Sequence, residues 1–79
     1  MRLPRDLSGP ELIRALSRLG YVQTRQSGSH VRLTRSTTEG DHHITVPQHS
    51  PLRVGTLNKI LTDVATHLGL TRDQLIELL

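Results

Sequence analysis

Between residues 8 and 20 the apolar positions recur at helical intervals. Leu12, Ile13, Leu16 and Leu19 make one stripe with polar and charged residues between them. Ser8 and Glu11 have capping-box spacing, Leu7 and Leu12 flank the cap as a hydrophobic staple, and Pro10 stands in the first turn, where its missing N–H costs little. Gly20 supplies a stop, so the pattern predicts a helix over about 8–19. From 21 to 47 the period becomes alternating. "YVQTRQ", "HVRLTR" and "HHITV" are three runs rich in β-branched residues, parted by the turn compositions "SGS" and "STTEGD" and closed by Pro47. They predict an antiparallel meander. After the loop "PQHSPLRVG", Leu57, Ile60, Leu61, Val64 and Leu68 return to helical spacing, with Gly69 as the stop, so a second helix is expected over about 55–68. Thr71 with Gln74 makes a second capping box, and Leu70 stapled onto Leu75 opens a short third helix.

Helix, three antiparallel strands, helix and a small appended helix predict an α+β fold with both long helices on one face of the sheet. That is the topology of the double-stranded-RNA-binding domain. Nothing in the chain reads as a repeat, a linker or a low-complexity tail, so residues 1–79 are expected to form a single domain. The alternation also assigns faces. Val22, Thr24, Val31, Leu33, Ile44 and Val46 are expected to point toward the helices, and Tyr21, Gln23, Arg25, His30, Arg32, Thr34, His43 and Thr45 away from them. The open face is then basic and polar.

Composition narrows the chemistry. A chain of 79 residues builds one modest core, which argues for a ligand bound on the outside and not in a large buried pocket. It has no cysteine, so disulfides, thiolate metal sites and thiol nucleophiles are excluded. The start "MRLPRDLSGPEL" contains no apolar run of signal-peptide length, and no stretch approaches a membrane span; the expectation is a soluble cytoplasmic protein. The formal net charge is +3, and nine of the ten basic residues are arginine, whose planar fork suits phosphate oxygens. Tyr21 is the only aromatic residue. That argues against a domain that reads single-stranded bases by stacking them on several rings.

The sharpest candidate for chemistry is His30. Gly28-Ser29-His30 places an imidazole at the start of the central strand, on the expected open side, two residues before Arg32 and within cross-strand reach of Arg25 or His43. A group that titrates near neutral pH can take the proton of a ribose 2′-hydroxyl or give one to a leaving 5′-oxygen, while arginines stabilise the charge on phosphorus. Taken from spacing alone, a surface histidine with no catalytic duty is the stronger reading. His42 and His43 are adjacent on a strand and point to opposite faces, against a zinc pair. His67 falls in the last turn of the second helix, where a cation suits the helix dipole. No HExxH, no paired carboxylates and no phosphate-cradling glycine loop occur, and no cofactor or metal is expected.

The fragments "LSGPELIRALSRLGY", "RQSGSHVRL", "ITVPQH" and "GTLNKIL", in this order, resemble the HicA toxin family of bacterial and archaeal toxin–antitoxin modules over nearly the whole chain. The resemblance rests on Gly20-Tyr21, Gly28-Ser29-His30, Pro47-Gln48-His49 and Gly55-Thr56-Leu57. It implies an mRNA interferase with a double-stranded-RNA-binding-like fold, kept inactive by a HicB-type antitoxin that covers the active-site histidine. By the matching motif that histidine is His30, with Gly28 and Ser29 as the turn presenting it. Ser29, Arg25, Arg32 and His43 are the candidate RNA contacts. The role of His49 stays open. Two features depart from the family pattern: a longer second helix followed by the extra helix "TRDQLIELL", with its apolar end, and a low lysine content. Two other functions remain open, a non-catalytic RNA-binding module of the same topology and a protein-interaction adaptor.

Overall fold

The computed structural model describes residues 7–79, so residues 1–6, part of the start read above as lacking a signal peptide, lie outside the described residues. The first helix, α1 (Gly9–Ser17), begins where its capping box requires. Ser8 Oγ accepts from the Glu11 N–H at 3.2 Å, and Glu11 Oε1 accepts from the Ser8 N–H at 3.0 Å. These bonds hold the Glu11 carboxyl below its ordinary pKa. The helix is shorter than its apolar stripe predicts. Arg18 and Leu19 bond back only three residues, to Ala15 and Leu16 oxygens, which tightens the last turn and closes the helix early.

Three strands follow, β1 (Val22–Ser27), β2 (His30–Thr37) and β3 (Gly40–Pro47), paired antiparallel in the order β1-β2-β3. Then come α2 (Val54–Leu68), stopped at Gly69, and α3 (Arg72–Leu78), whose Thr71–Gln74 capping box is formed at both ends. The helices cover one face of the sheet. Leu12 and Leu16 of α1, Val31 and Leu33 of β2, Ile44 and Val46 of β3, Leu57, Leu61 and Val64 of α2 and Leu75 of α3 are buried in one cluster. Each such side chain stabilises the fold by about 1.5–3 kcal/mol. The architecture is the expected α+β, double-stranded-RNA-binding-like arrangement. Among the described residues no helix is long and apolar enough to cross a membrane.

In β1 the expected faces are inverted. Tyr21 lies in the core at 1% exposure, whereas Val22 is 62% exposed on the open face, opposite Thr34. Gln23 pairs with Leu33 on the helix side, and Thr24 bonds to Thr34 on the open side. Burying the largest apolar side chain available sets the register. A bulge between Gln23 and Arg25 then shifts the alternation by one, which is why Arg25 still reaches the open face as expected. The faces of β2 and β3 follow the pattern throughout.

One contact that the pattern did not show fixes how α1 meets the sheet. A Cβ on Gly9 would stand 2.1 Å from the Pro47 carbonyl oxygen, so only glycine allows this approach. The Gly9 N–H donates to the His49 carbonyl at 2.9 Å. The end of β3 is thus tied to the start of α1. At the other end of the chain Leu75 is buried and Ile76 and Leu79 pack on the core, leaving Leu78 exposed at 51%. The apolar end of α3 is mostly helix packing.

Candidate functional site

The β1–β2 hairpin turns at Gly28-Ser29, where Gly28 has φ of +58°, a left-handed conformation that side-chain-bearing residues rarely adopt. The Ser29 carbonyl accepts from the Gln48 N–H at 2.7 Å, and His30 pairs with Pro47. Both bonds anchor the turn to the exit of β3. His30 therefore starts β2 in a fixed backbone position with its side chain exposed on the open face.

From His30 the open face can be followed by register. Along β2 come Arg32 and Thr34; beside them β3 presents Pro47, Thr45 and His43, and β1 presents Ser27, Arg25 and Val22. His30, Arg32 and His43 line one groove of about 580 Å³, whose other wall is α2, with Thr56, Lys59 and Asp63. The structure thus brings three of the five candidate residues into one concavity. Arg25 lies on the same face, directly opposite Arg32, and Ser29 lies in the turn; neither lines the groove. Lys59 is a member that sequence reasoning missed. Its only signal was a cation on the polar side of an amphipathic helix.

Two arginines directly across a strand pair cost about 0.2–1 kcal/mol by repulsion. Among the described residues neither has a carboxylate within ion-pair distance; the one contact of that length joins His42 to Asp63, on the other face of the sheet. A polyanion relieves that repulsion. His43 differs from His30 in being held: its Nδ1 lies 2.9 Å from Thr34 Oγ1, which lies 2.8 Å from Thr24 Oγ1, which in turn donates to the Arg32 carbonyl at 3.5 Å.

The opposite face carries a second histidine cluster. Tyr21 Oη is 2.7 Å from His42 Nδ1, and His42 Nε2 is 3.1 Å from Asp63 Oδ1. Burial pushes the Tyr21 phenol up to about 12, so it keeps its proton and donates it to His42 Nδ1, leaving the Nε2–H to donate to Asp63. His67 stacks on His42 with ring centroids 4.2 Å apart and accepts from Arg35 Nη1 at 3.3 Å. Desolvation, then His42 and Arg35, push the His67 pKa down, with Asp63 acting the other way. The expectation of a cation favoured by the helix dipole is corrected here: its surroundings favour the neutral ring. His49 serves through its backbone, by capping Gly9.

A three-stranded antiparallel sheet with its helices on one face and a basic, uncovered second face defines a double-stranded-RNA-binding-like α+β domain. Within that class the chain belongs to the HicA toxin family: the family model described as the HicA toxin of bacterial toxin–antitoxin matches residues 9–65. Membership carries a toxin role and an antitoxin partner. The match ends inside α2, so α3, noted above as a departure, lies outside it. No curated protein and no solved structure matches the chain.

Proposed function

We propose that this toxin is a ribonuclease that cleaves mRNA with His30 and is neutralised by a HicB-type antitoxin seated on the open face. The observation that carries the reading is the placement of His30. It is exposed, free of hydrogen-bond partners among the described residues, and fixed at the head of β2 in a groove it shares with Arg32 and Lys59. Phosphate binds there through the cations, and an imidazole beside it moves a proton to or from a ribose or leaving oxygen. Arg25 extends the cationic surface along β1, and Ser29 adds a hydroxyl at the turn. An antitoxin covering this face removes the histidine and the phosphate contacts together.

The test is induced expression of wild type and His30→Ala, followed by growth and transcript integrity, with the variant's fold checked by circular dichroism. Wild type is expected to arrest growth and degrade transcripts, and the folded variant to do neither. Equal behaviour of the two, with RNA affinity that still falls steeply with salt, leaves a non-catalytic RNA-binding module in its place.

A further inference from the structure

Cleavage of a phosphodiester by a ribose hydroxyl needs one group to accept a proton and another to donate one, and a single histidine does not do both in the same step. We infer that His43 is the second proton-transfer residue, acting as the base, with its tautomer set by the Thr34–Thr24 hydroxyl pair. The inference rests on the ribonuclease reading above and adds to it the partner of His30.

The Arg32 carbonyl can only accept. Thr24 donates to it, so the single proton of the Thr24 hydroxyl is used and its oxygen must accept from Thr34. The Thr34 proton is then used in turn, and its oxygen accepts from His43 Nδ1–H. Only this direction satisfies all three contacts. Thr34 is 8% exposed, so water offers its hydroxyl little alternative. With Nδ1 carrying the proton, the free lone pair of neutral His43 is on Nε2. A histidine whose Nδ1–H is held by an acceptor and whose Nε2 is free has the form of an oriented general base. Among the described residues His30 has no such acceptor, and it is the donor.

The strand register sets their separation. His30 pairs with Pro47, four residues along β3 from His43, so strand rise and one inter-strand step put their Cα atoms roughly 14 Å apart. Both side chains line the same groove, with Arg32 and Thr45 between them. In the step, the 2′-oxygen attacks the adjacent phosphorus and its proton passes to His43 Nε2. The bond from phosphorus to the 5′-oxygen breaks, and that oxygen takes a proton from protonated His30. Arg32 faces the charge gathered on the phosphoryl oxygens. The products are a 2′,3′-cyclic phosphate and a 5′-hydroxyl, and proton exchange with water restores both rings.

The charged groups around His43 are Asp41, two residues before it on the same face of β3, Arg32 on β2, Arg25 beyond it on β1, and Lys59 and Asp63 on α2. His42, its chain neighbour, turns to the other face.

The experiment is single-turnover cleavage of a labelled single-stranded RNA across acid to mildly alkaline pH by wild type, His43→Gln, Thr34→Val and Thr34→Ser. Wild type should give a bell-shaped profile and cyclic-phosphate ends. His43→Gln should fall about 100- to 10,000-fold and lose the rise on the acid side. Thr34→Val should lower the plateau, because the His43 ring loses the acceptor that holds its Nδ1–H and sets its tautomer, and Thr34→Ser should restore it. Wild type that cleaves, with His43→Gln equally fast and equally bell-shaped, overturns the assignment of His43 alone. So do 5′-phosphate ends, because the 2′-oxygen is then not the nucleophile. Wild type that fails to cleave overturns the ribonuclease reading and this one with it.

Discussion

His42 and His43 are neighbours in the chain, lie on opposite faces of β3, and differ in what surrounds them. On the helix face His42 is enclosed by Tyr21, Asp63 and the stacked ring of His67, and Arg35 ties His67 to the Leu19 carbonyl. Among the described residues no buried polar side-chain atom is left without a partner. On the open face, among the described residues, His30 has none, His43 is held through one nitrogen, and Arg25 faces Arg32 with no carboxylate within ion-pair distance. The same residue types therefore do two jobs. Where the sheet meets α2 they satisfy one another and join β3 to the helix, and where the sheet meets solvent they are left for a ligand to satisfy.

The largest test of this contrast is on stability. Tyr21→Ala removes a buried ring from the core and leaves His42 Nδ1 without its donor, and should cost about 3–5 kcal/mol in a urea unfolding experiment. His43→Ala, on the exposed face, gives up one hydrogen bond to Thr34 and should cost about 1 kcal/mol. Comparable losses at both positions would dissolve the division between a structural and a functional cluster.

How far the sequence reveals this division depends on the strand. In β2 and β3 strict alternation and one apolar face leave a single register, so the faces of His30, Arg32, His42 and His43 can be read directly. In β1 the sequence offers Tyr21 and Val22 side by side, and alternation alone does not say which turns inward. The deciding facts are tertiary: the space beneath α2 that a phenol ring fills, the Nδ1 of His42 that accepts from its hydroxyl, and a bulge that restores the phase at Arg25. The groove wall was hidden for a related reason. Lys59 and Asp63 come to the site from α2, and the pairing of a helix face with a sheet edge leaves no local pattern. The Gly-Ser-His turn was legible because its chemistry is local, whereas the Thr24–Thr34–His43 chain spans all three strands.

A smaller effect separates the clusters by pH. The His67 pKa lies below its ordinary 6.5 in the folded protein, so between the two values the unfolded chain binds more protons. The stability that His67 contributes is complete above 6.5 and is lost as pH falls through 6.5 toward the lowered folded value. The groups that set this window are His42 on β3, Arg35 on β2 and Asp63 on α2. Denaturation midpoints followed from neutral to acid pH should decline in that range for wild type and decline less for His67→Gln. The Glu11 cap contributes a separate loss at lower pH, because its carboxyl is held below 4.5, and Glu11→Gln should remove that later decline without touching the first.

The smallest expected effect bears on how far the functional face extends. Val22 is exposed, opposite Thr34, and one strand away from the groove that holds His30. Val22→Arg gives up little buried area there, so stability should change by no more than about 0.5 kcal/mol, whereas the same change one residue earlier, at Tyr21, would put a charge into the core. The substitution adds a cation on the open face. If RNA crosses from the groove over β1 toward Arg25, the dependence of log affinity on log salt should steepen by about 0.7, the value for one more phosphate contact on a single strand. An unchanged slope would confine the RNA to the concavity between β3 and α2, and Arg25 would then act on Arg32 by repulsion, turning its guanidinium toward the phosphate without touching the RNA itself.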